Sequence, residues 1–477
     1  MATVSKVFKL GKSQAELDFV DVNVNGDTRL FIDPYALSRR RDRWSYEAHK
    51  TLTEFFERVV FAIRDGKDDE AMELLQYLQE PNETRLGLSR GKPQGAGIGD
   101  FQADALFDAL KSSSAVQTGL IESLEECELM IEGIGWDKIS DLATNVIRLH
   151  LVEYTREQCA LHGIPTHNQP LPAYYDRESG NWVEDYHEIP FAGSGPLVLV
   201  PKIIARYKGA CNVGSYYNHY VLDFLQAQLL SAGASLVRTL KNGRRVVTKK
   251  DLKERFPCTK RFLFEFSKEH PGVLAEYRSA LVDIERRGLD ATVGNEDQVT
   301  LAKALADALR AIPAGNADAT SYQTMMMGIL EFLFYPSLLY PRKEHEINQG
   351  RKRIDIVFNN DADHGVFRWI QAALKLPCAY IVFECKNYTH DIANPELDQL
   401  IGRFSPNRGL VGFVCCRNFD NLGLFIERCR DTRKDNHGLV VPMEDDFVIQ
   451  LLRHVEMGER HKIDETLNGR IDKICMA

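Results

Sequence analysis

The chain has 477 residues, 44% hydrophobic and 27% charged, with a formal net charge of −9. Such a profile predicts a folded chain of two or three domains, each with its own core, and excludes a collagen-like or low-complexity one. No run approaches the roughly 18 apolar residues that span a bilayer, and the acidic balance runs against a uniformly basic nucleic-acid binder, although local fields outweigh the total.

The N-terminus, Met1-Ala2-Thr3-Val4-Ser5-Lys6, carries no secretory pattern. The ten cysteines contain no CxxC pair and read as reduced thiols, so a cytoplasmic protein without membrane contact is expected. Residues 19–24 alternate apolar and polar, Asn25-Gly26-Asp27 supplies a turn and residues 29–32 return, which predicts an opening β-hairpin. Residues 44–65 and 69–79 show helical periodicity and begin a mostly helical region that runs to about His162. Residues 165–195 are rich in Pro, Gly, Asn and Tyr and predict a first boundary. Residues 197–201 read as a strand and 216–230 as a helix. Thr248-Lys249-Lys250-Asp251 opens another helix with capping-box spacing. The small, polar residues 311–319 predict a second boundary. The expected organisation is a mostly helical region over 1–190 with a hairpin start, an α+β middle over 191–315, and a third domain over 316–477.

That third domain holds the chemistry. Residues 325–334 predict a helix carrying Glu331. Residues 353–358 predict a strand carrying Asp355. The apolar run Tyr380-Ile381-Val382-Phe383 predicts a buried strand that ends in Glu384-Cys385-Lys386. Residues two apart on a strand share a face, so Glu384 and Lys386 project together. Residues 394–403 predict a helix carrying Gln399, residues 410–416 a strand, and residues 444–452 a helix with acids at its start, which suits the helix dipole. Two carboxylates and a lysine on paired strands suit a divalent cation, a water and a phosphodiester.

The pattern Asp355…Glu384-x-Lys386, set in the order helix, strands, helix, strand, resembles the PD-(D/E)XK nuclease superfamily over about residues 322–441. Ile354 stands where the name-giving proline would be, a position where the family often lacks it. The resemblance implies an α/β, restriction-endonuclease-like C-terminal domain, a mixed sheet flanked by helices, beside a largely helical α+β N-terminal region. It implies Mg²⁺-dependent hydrolysis of phosphodiesters, with Mn²⁺ able to substitute. Asp355 and Glu384 would be the metal carboxylates, the Cys385 carbonyl a third ligand, and Glu331 a further one, often through water. Lys386 would orient or deprotonate the attacking water, and Gln399 would be the polar residue facing the site. The implied partner is nucleic acid, double-stranded DNA first, in bacterial restriction or anti-phage defence. A homo-oligomer would let two sites cut both strands, and the negative surface leaves room for a partner protein. Two alternatives stand beside this reading: a catalytically silent nucleic-acid-binding scaffold, and an RNA-directed toxin nuclease.

Other signals carry blander readings. Glu344, Glu346 and Asp363 read as exposed charge on a strand or turn. Lys241-Asn242-Gly243-Arg244-Arg245 with Lys249, Lys250 and Lys253 reads as a hairpin tip and a solvated helix face rather than a phosphate grip. Gly97-Ile98-Gly99 and Gly133-Ile134-Gly135 read as ordinary turns into helices, not as phosphate-holding hairpins between helices. Gly11-Lys12-Ser13 lacks the first glycine of a phosphate-binding loop, because Lys6 stands there. Cys159, His162 and His167 have no second ligand pair for zinc. Cys415 and Cys416 read as packed core.

Overall fold

A five-stranded mixed sheet organises the C-terminal part of the chain. The computed structural model describes residues 2–87, 99–193, 195–232, 236–239, 242, 245–285 and 295–476, without the side chains of 99–102, 282–285 and 295–297. The fold is mixed α/β and divides into two compact units. One comprises Met1–Val7 and Val22–Leu289, the other Phe8–Asp21 and Asp290–Ala477.

The second unit runs α1 (Asn295–Ala311), α2 (Ala319–Phe334), β1 (Leu338–Ile347), β2 (Lys352–Asn360), α3 (Gly365–Ala372), β3 (Tyr380–Lys386), α4 (Asn394–Ile401), β4 (Val411–Cys416), α5 (Leu422–Lys434), β5 (Leu439–Glu444), α6 (Asp445–Glu456) and α7 (Lys462–Cys475). The strand order is β1-β2-β3-β4-β5. The first three strands pair antiparallel and the last three parallel. The predicted helices at 325–334, 394–403 and 444–452 and the strands at 353–358, 380–386 and 410–416 all form, with ends shifted by a few residues.

Alternation gives this sheet two unlike faces. Ile356, Phe358, Ile381, Phe383 and Phe413 are all fully buried and share one face through the pairs Ile356↔Phe383, Phe358↔Ile381 and Phe383↔Phe413. Phe383 and Phe413 stack at 4.9 Å, Phe334 of α2 stacks on Phe383 at 6.4 Å, and Phe367 of α3 meets Phe413 at 6.2 Å. Each such pair is worth about 0.5–1.5 kcal/mol beyond its buried area. The opposite face carries Asp355, Val357, Val382, Glu384 and Lys386, with Gly412 beside them on β4. Helix α4 lies over this second face. A Cβ built at Gly412 would stand 2.8 Å from both Leu400 Cδ1 and Phe404 Cε1, so glycine is what lets α4 come this close. The Ala393 N–H donates to Glu396 Oε2 at 2.9 Å, and Pro395 sits in the first turn, which fixes where α4 begins.

Residues 8–21 belong to this unit because of polar and packing contacts with it. The Tyr340 N–H donates to Asp18 Oδ1 at 3.2 Å, and a Cβ at Gly328 of α2 would lie 3.4 Å from Glu16 Oε1 and 3.5 Å from Lys12 Nζ.

The first unit is mainly helical, with long helices over Arg43–Arg64, Gly99–Ser112 and Arg148–His162 and several two-stranded ladders. Each nitrogen of its buried Arg148 has an acceptor. Nε donates to Glu83 Oε1 at 2.8 Å, Nη2 to Asn145 Oδ1 at 2.7 Å, and Nη1 to the Ala173 carbonyl.

Several expectations change. The opening hairpin does not form: Asn23 bridges to Thr3, Thr28 to Leu86, and Phe31–Ile32 pairs with Ala205–Arg206. Residues 197–200 are buried as expected, but they make no strand. The N–H groups of Leu197, Val198 and Leu199 go to the Pro190 carbonyl, the Glu83 carbonyl and Thr155 Oγ1. Residues 165–195 pair among themselves as short ladders, and the unit continues to Leu289, so the three expected regions resolve into two units. Gly97 and Ile98 of the first glycine turn, and Lys241, Gly243 and Arg244 of the basic cluster, lie outside the described residues. Among the described residues no helix is long and apolar enough to cross a membrane.

Candidate active site

The β2–β3 ladder ends at Ile356↔Phe383. The next residues in that register are Asp355 and Glu384, so the two acids come together where the strands stop pairing. The freed Cys385 N–H does not go to a strand carbonyl; it donates to Asp355 Oδ2 at 2.8 Å. Lys386, two residues after Glu384 on the same face, donates from Nζ to Glu384 Oε1 at 3.0 Å and to Gln399 Oε1 at 3.0 Å. Gln399 on α4 donates from Nε2 to the same Glu384 Oε1 at 2.5 Å. The structure therefore brings Asp355, Glu384, Cys385, Lys386 and Gln399 together.

The pattern of satisfaction is uneven. Glu384 is 0% exposed and Lys386 7%. Glu384 Oε1 takes two donors, while Oε2 is buried and has no hydrogen-bond partner. A buried carboxylate oxygen without a donor costs about 1–3 kcal/mol or more. Burial and the Asp355 charge push the Glu384 carboxyl up to about 7, against the pull of Lys386 and Arg403. Burial also raises Asp355, with the Cys385 N–H and Lys386 opposing. Burial alone would lower Lys386, but the Glu384 and Asp355 charges outweigh it and hold the ammonium above its usual value. Lys386 is thus a cation here, a donor rather than a proton acceptor.

Glu331 is not brought to this group. It lies on α2, whose Phe334 stacks on Phe383, and Phe383 points to the face opposite Glu384. The α2 residue that does reach Asp355 is Gln323, whose Nε2 donates to the Asp355 carbonyl at 3.0 Å and to Glu344 Oε1 at 2.9 Å. Glu331 comes eight residues later, about 12 Å further along the helix. Among the described residues no three His, Cys, Asp or Glu side chains are grouped to share an ion. The acid donors in reach of one another are two carboxylates, with the Cys385 carbonyl on the same strand.

Three residues of the neighbourhood escaped the sequence reading. Glu344 is exposed, as expected, yet the pairs Lys343↔Ile356 and His345↔Ile354 place it across the ladder from Asp355. Its backbone is left-handed at φ 52°, a conformation that tends to persist only where the surroundings hold it. Gln323 gave no signal, because its partners lie 21 and 32 residues away in sequence. Arg403 did give one: it follows Gln399 by four, one helical turn on the same side.

Residues 9–212 match a family model described as a domain of unknown function (DUF8370), fewer than half of the residues, and the match ends before the candidate site begins. Comparison with curated proteins and with solved structures gave no match.

The donor set fits a hard divalent cation. The carboxylates and the carbonyl are oxygen donors of the kind Mg²⁺ prefers, and the partnerless Glu384 Oε2 is the group such an ion would satisfy.

Proposed function

We propose that the second unit is a PD-(D/E)XK-type, restriction-endonuclease-like nuclease domain that hydrolyses phosphodiester bonds of DNA. The observation that carries this reading is the Asp355–Glu384 pair at the open end of the β2–β3 ladder, with Glu384 Oε2 buried and partnerless beside Lys386. A structural ion pair would satisfy both oxygens; one left open suits a ligand.

Asp355, Glu384 and the Cys385 carbonyl would hold Mg²⁺, with Mn²⁺ able to replace it. When bound, the ion supplies charge neutralisation for the phosphate and acidifies a water. Lys386 holds and orients that water and offsets the negative charge added as it attacks. Water oxygen bonds to phosphorus and gives up one proton to solvent, the bond to the leaving oxygen breaks, and that oxygen takes a proton from solvent. Gln399 fixes the Glu384 and Lys386 side chains against each other. The protein would work in the cytoplasm, in restriction or anti-phage defence, as a homo-oligomer where both strands are cut.

The test is cleavage of plasmid, linear duplex, single-stranded DNA and RNA with Mg²⁺, Mn²⁺ or chelator, with Lys386→Ala protein beside the wild type. Metal-dependent DNA cutting that the variant lacks supports the reading. Equal cutting by both proteins, or cutting in chelator, contradicts it. RNA cut in place of DNA moves the substrate class.

A further inference from the structure

The chain is acidic overall, yet residues 351–353 and 403–408 carry five cations, Arg351, Lys352, Arg353, Arg403 and Arg408, and no acid, although Arg353 pairs with Glu346 of the neighbouring strand at 3.3 Å. Two of these cations hold the backbone at a third. Lys352 Nζ donates to the Gly402 carbonyl at 2.9 Å. Arg408 donates to the Arg403 carbonyl from Nε at 3.2 Å and from Nη2 at 3.1 Å. The Arg403 side chain is left over, with a buried Nε that has no partner. Among the described residues none of Lys352, Arg403 and Arg408 forms an ion pair.

Arg403 also has an address. Its N–H closes a turn onto the Leu400 carbonyl at 2.9 Å, one turn beyond Gln399, and its charge is felt at both Asp355 and Glu384. A cation at the end of a helix often does no more than cap it, and Lys352 does that for α4. Capping does not account for the Arg403 guanidinium, which forms no ion pair although its charge is felt at two carboxylates. With no acid bonded to any of the three among the described residues, their charge is left to attract an arriving anion.

We propose that Arg403, held by Lys352 and Arg408, is a phosphate-gripping residue for the backbone of duplex DNA, and that the β1–β2 turn and the α4–β4 loop form the basic track leading to the candidate site. The proposal rests on the nuclease reading for its choice of ligand, but binding is measured apart from cleavage. The planar guanidinium offers two parallel donors to a phosphate, which a lysine cannot match. The local charge explains how a chain of net charge −9 holds a polyanion.

The experiment is fluorescence anisotropy of labelled duplex DNA with the full chain in EDTA, across a salt series, for wild type, Arg403→Gln, Arg403→Lys and Lys250→Gln. Each variant's melting curve is compared with wild type to confirm folding. Arg403→Gln is expected to weaken binding about ten-fold and to reduce the slope of log affinity against log salt by about one. Arg403→Lys should recover the slope but only part of the affinity, and it carries the test if Arg403→Gln melts early. Lys250→Gln, on a helix of the other unit, should match wild type. Wild-type protein that binds no duplex overturns the proposal, as does Arg403→Gln protein with unchanged affinity and slope. The two readings fail separately. Metal-dependent cutting lost in Lys386→Ala while Arg403→Gln binds normally leaves the site standing and removes the track. Arg403-dependent binding with no metal-dependent cutting keeps the track and removes the nuclease.

Discussion

Two buried ion pairs, one in each unit, show how a structural pair differs from one kept for a ligand. Arg148 and Glu83 are 1% and 6% exposed, and each of the three Arg148 nitrogens has an acceptor. Lys386 and Glu384 are as deeply buried, but the donors crowd onto one carboxylate oxygen and the other has none. Burying a charge pair is tolerable when the remaining lone pairs and protons are satisfied. No atom of the first pair is buried without a partner, whereas Glu384 Oε2 is, and the second pair would lose that open oxygen only with something added.

Breaking each pair should therefore damage different properties. The largest effect is expected for Lys386→Ala, which should lower metal-dependent cleavage by about 10²–10³-fold while leaving unfolding of the first unit unchanged. Arg148→Ala should do the reverse. It strands the Glu83 charge and should destabilise the first unit by about 3–5 kcal/mol in denaturant unfolding; a loss under 1 kcal/mol would end the contrast drawn here.

Next comes pH. The Glu384 carboxyl is raised to about 7 in the folded chain. A raised acid stabilises the fold fully below the ordinary carboxylate range, and that share is lost as pH rises through about 7. Metal-free protein should lose melting temperature between about pH 5 and pH 8, and Glu384→Gln should flatten its share of that slope. With Mg²⁺ the sense inverts, since the ion needs the ionised carboxylate and binds better as pH rises. A Glu384→Gln curve parallel to wild type in EDTA would contradict the burial argument. The smallest effect is expected for Gln323→Ala. It removes one side chain bonded to Glu344 and to the Asp355 carbonyl, and should cost about 1 kcal/mol of stability, with a modest loss of cleavage from a loosened Asp355.

The site was more legible than the fold around it, for a physical reason. Strand alternation is local, so Glu384 and Lys386 could be placed on one face from three residues, and the apolar runs marked β2, β3 and β4. Which face a helix covers is not local. Which residue of α2 meets Asp355 is set by where the helix crosses the sheet: Gln323 reaches the Asp355 carbonyl, and Glu331 comes about 12 Å further along. The opening hairpin failed likewise: Asn25-Gly26 is a good turn signal, but the strand partners come from residues 3, 86 and 205–206. Leu197 to Val200 reads as a strand because it is an apolar run; its backbone donors find two carbonyls and a threonine hydroxyl instead. Arg403 was within reach, since i,i+4 spacing from Gln399 is readable on any predicted helix.

Whether the open Glu384 oxygen takes a metal is decided by Mn²⁺ binding to the full chain, followed by electron paramagnetic resonance at neutral pH, with Asp355→Ala and Glu384→Gln proteins beside the wild type. Wild type is expected to take up the ion and either substitution to abolish or sharply weaken uptake, while both variants still melt as folded proteins. Wild type that binds no Mn²⁺, or variants that bind it equally well, would contradict the assignment of the open Glu384 oxygen to a metal.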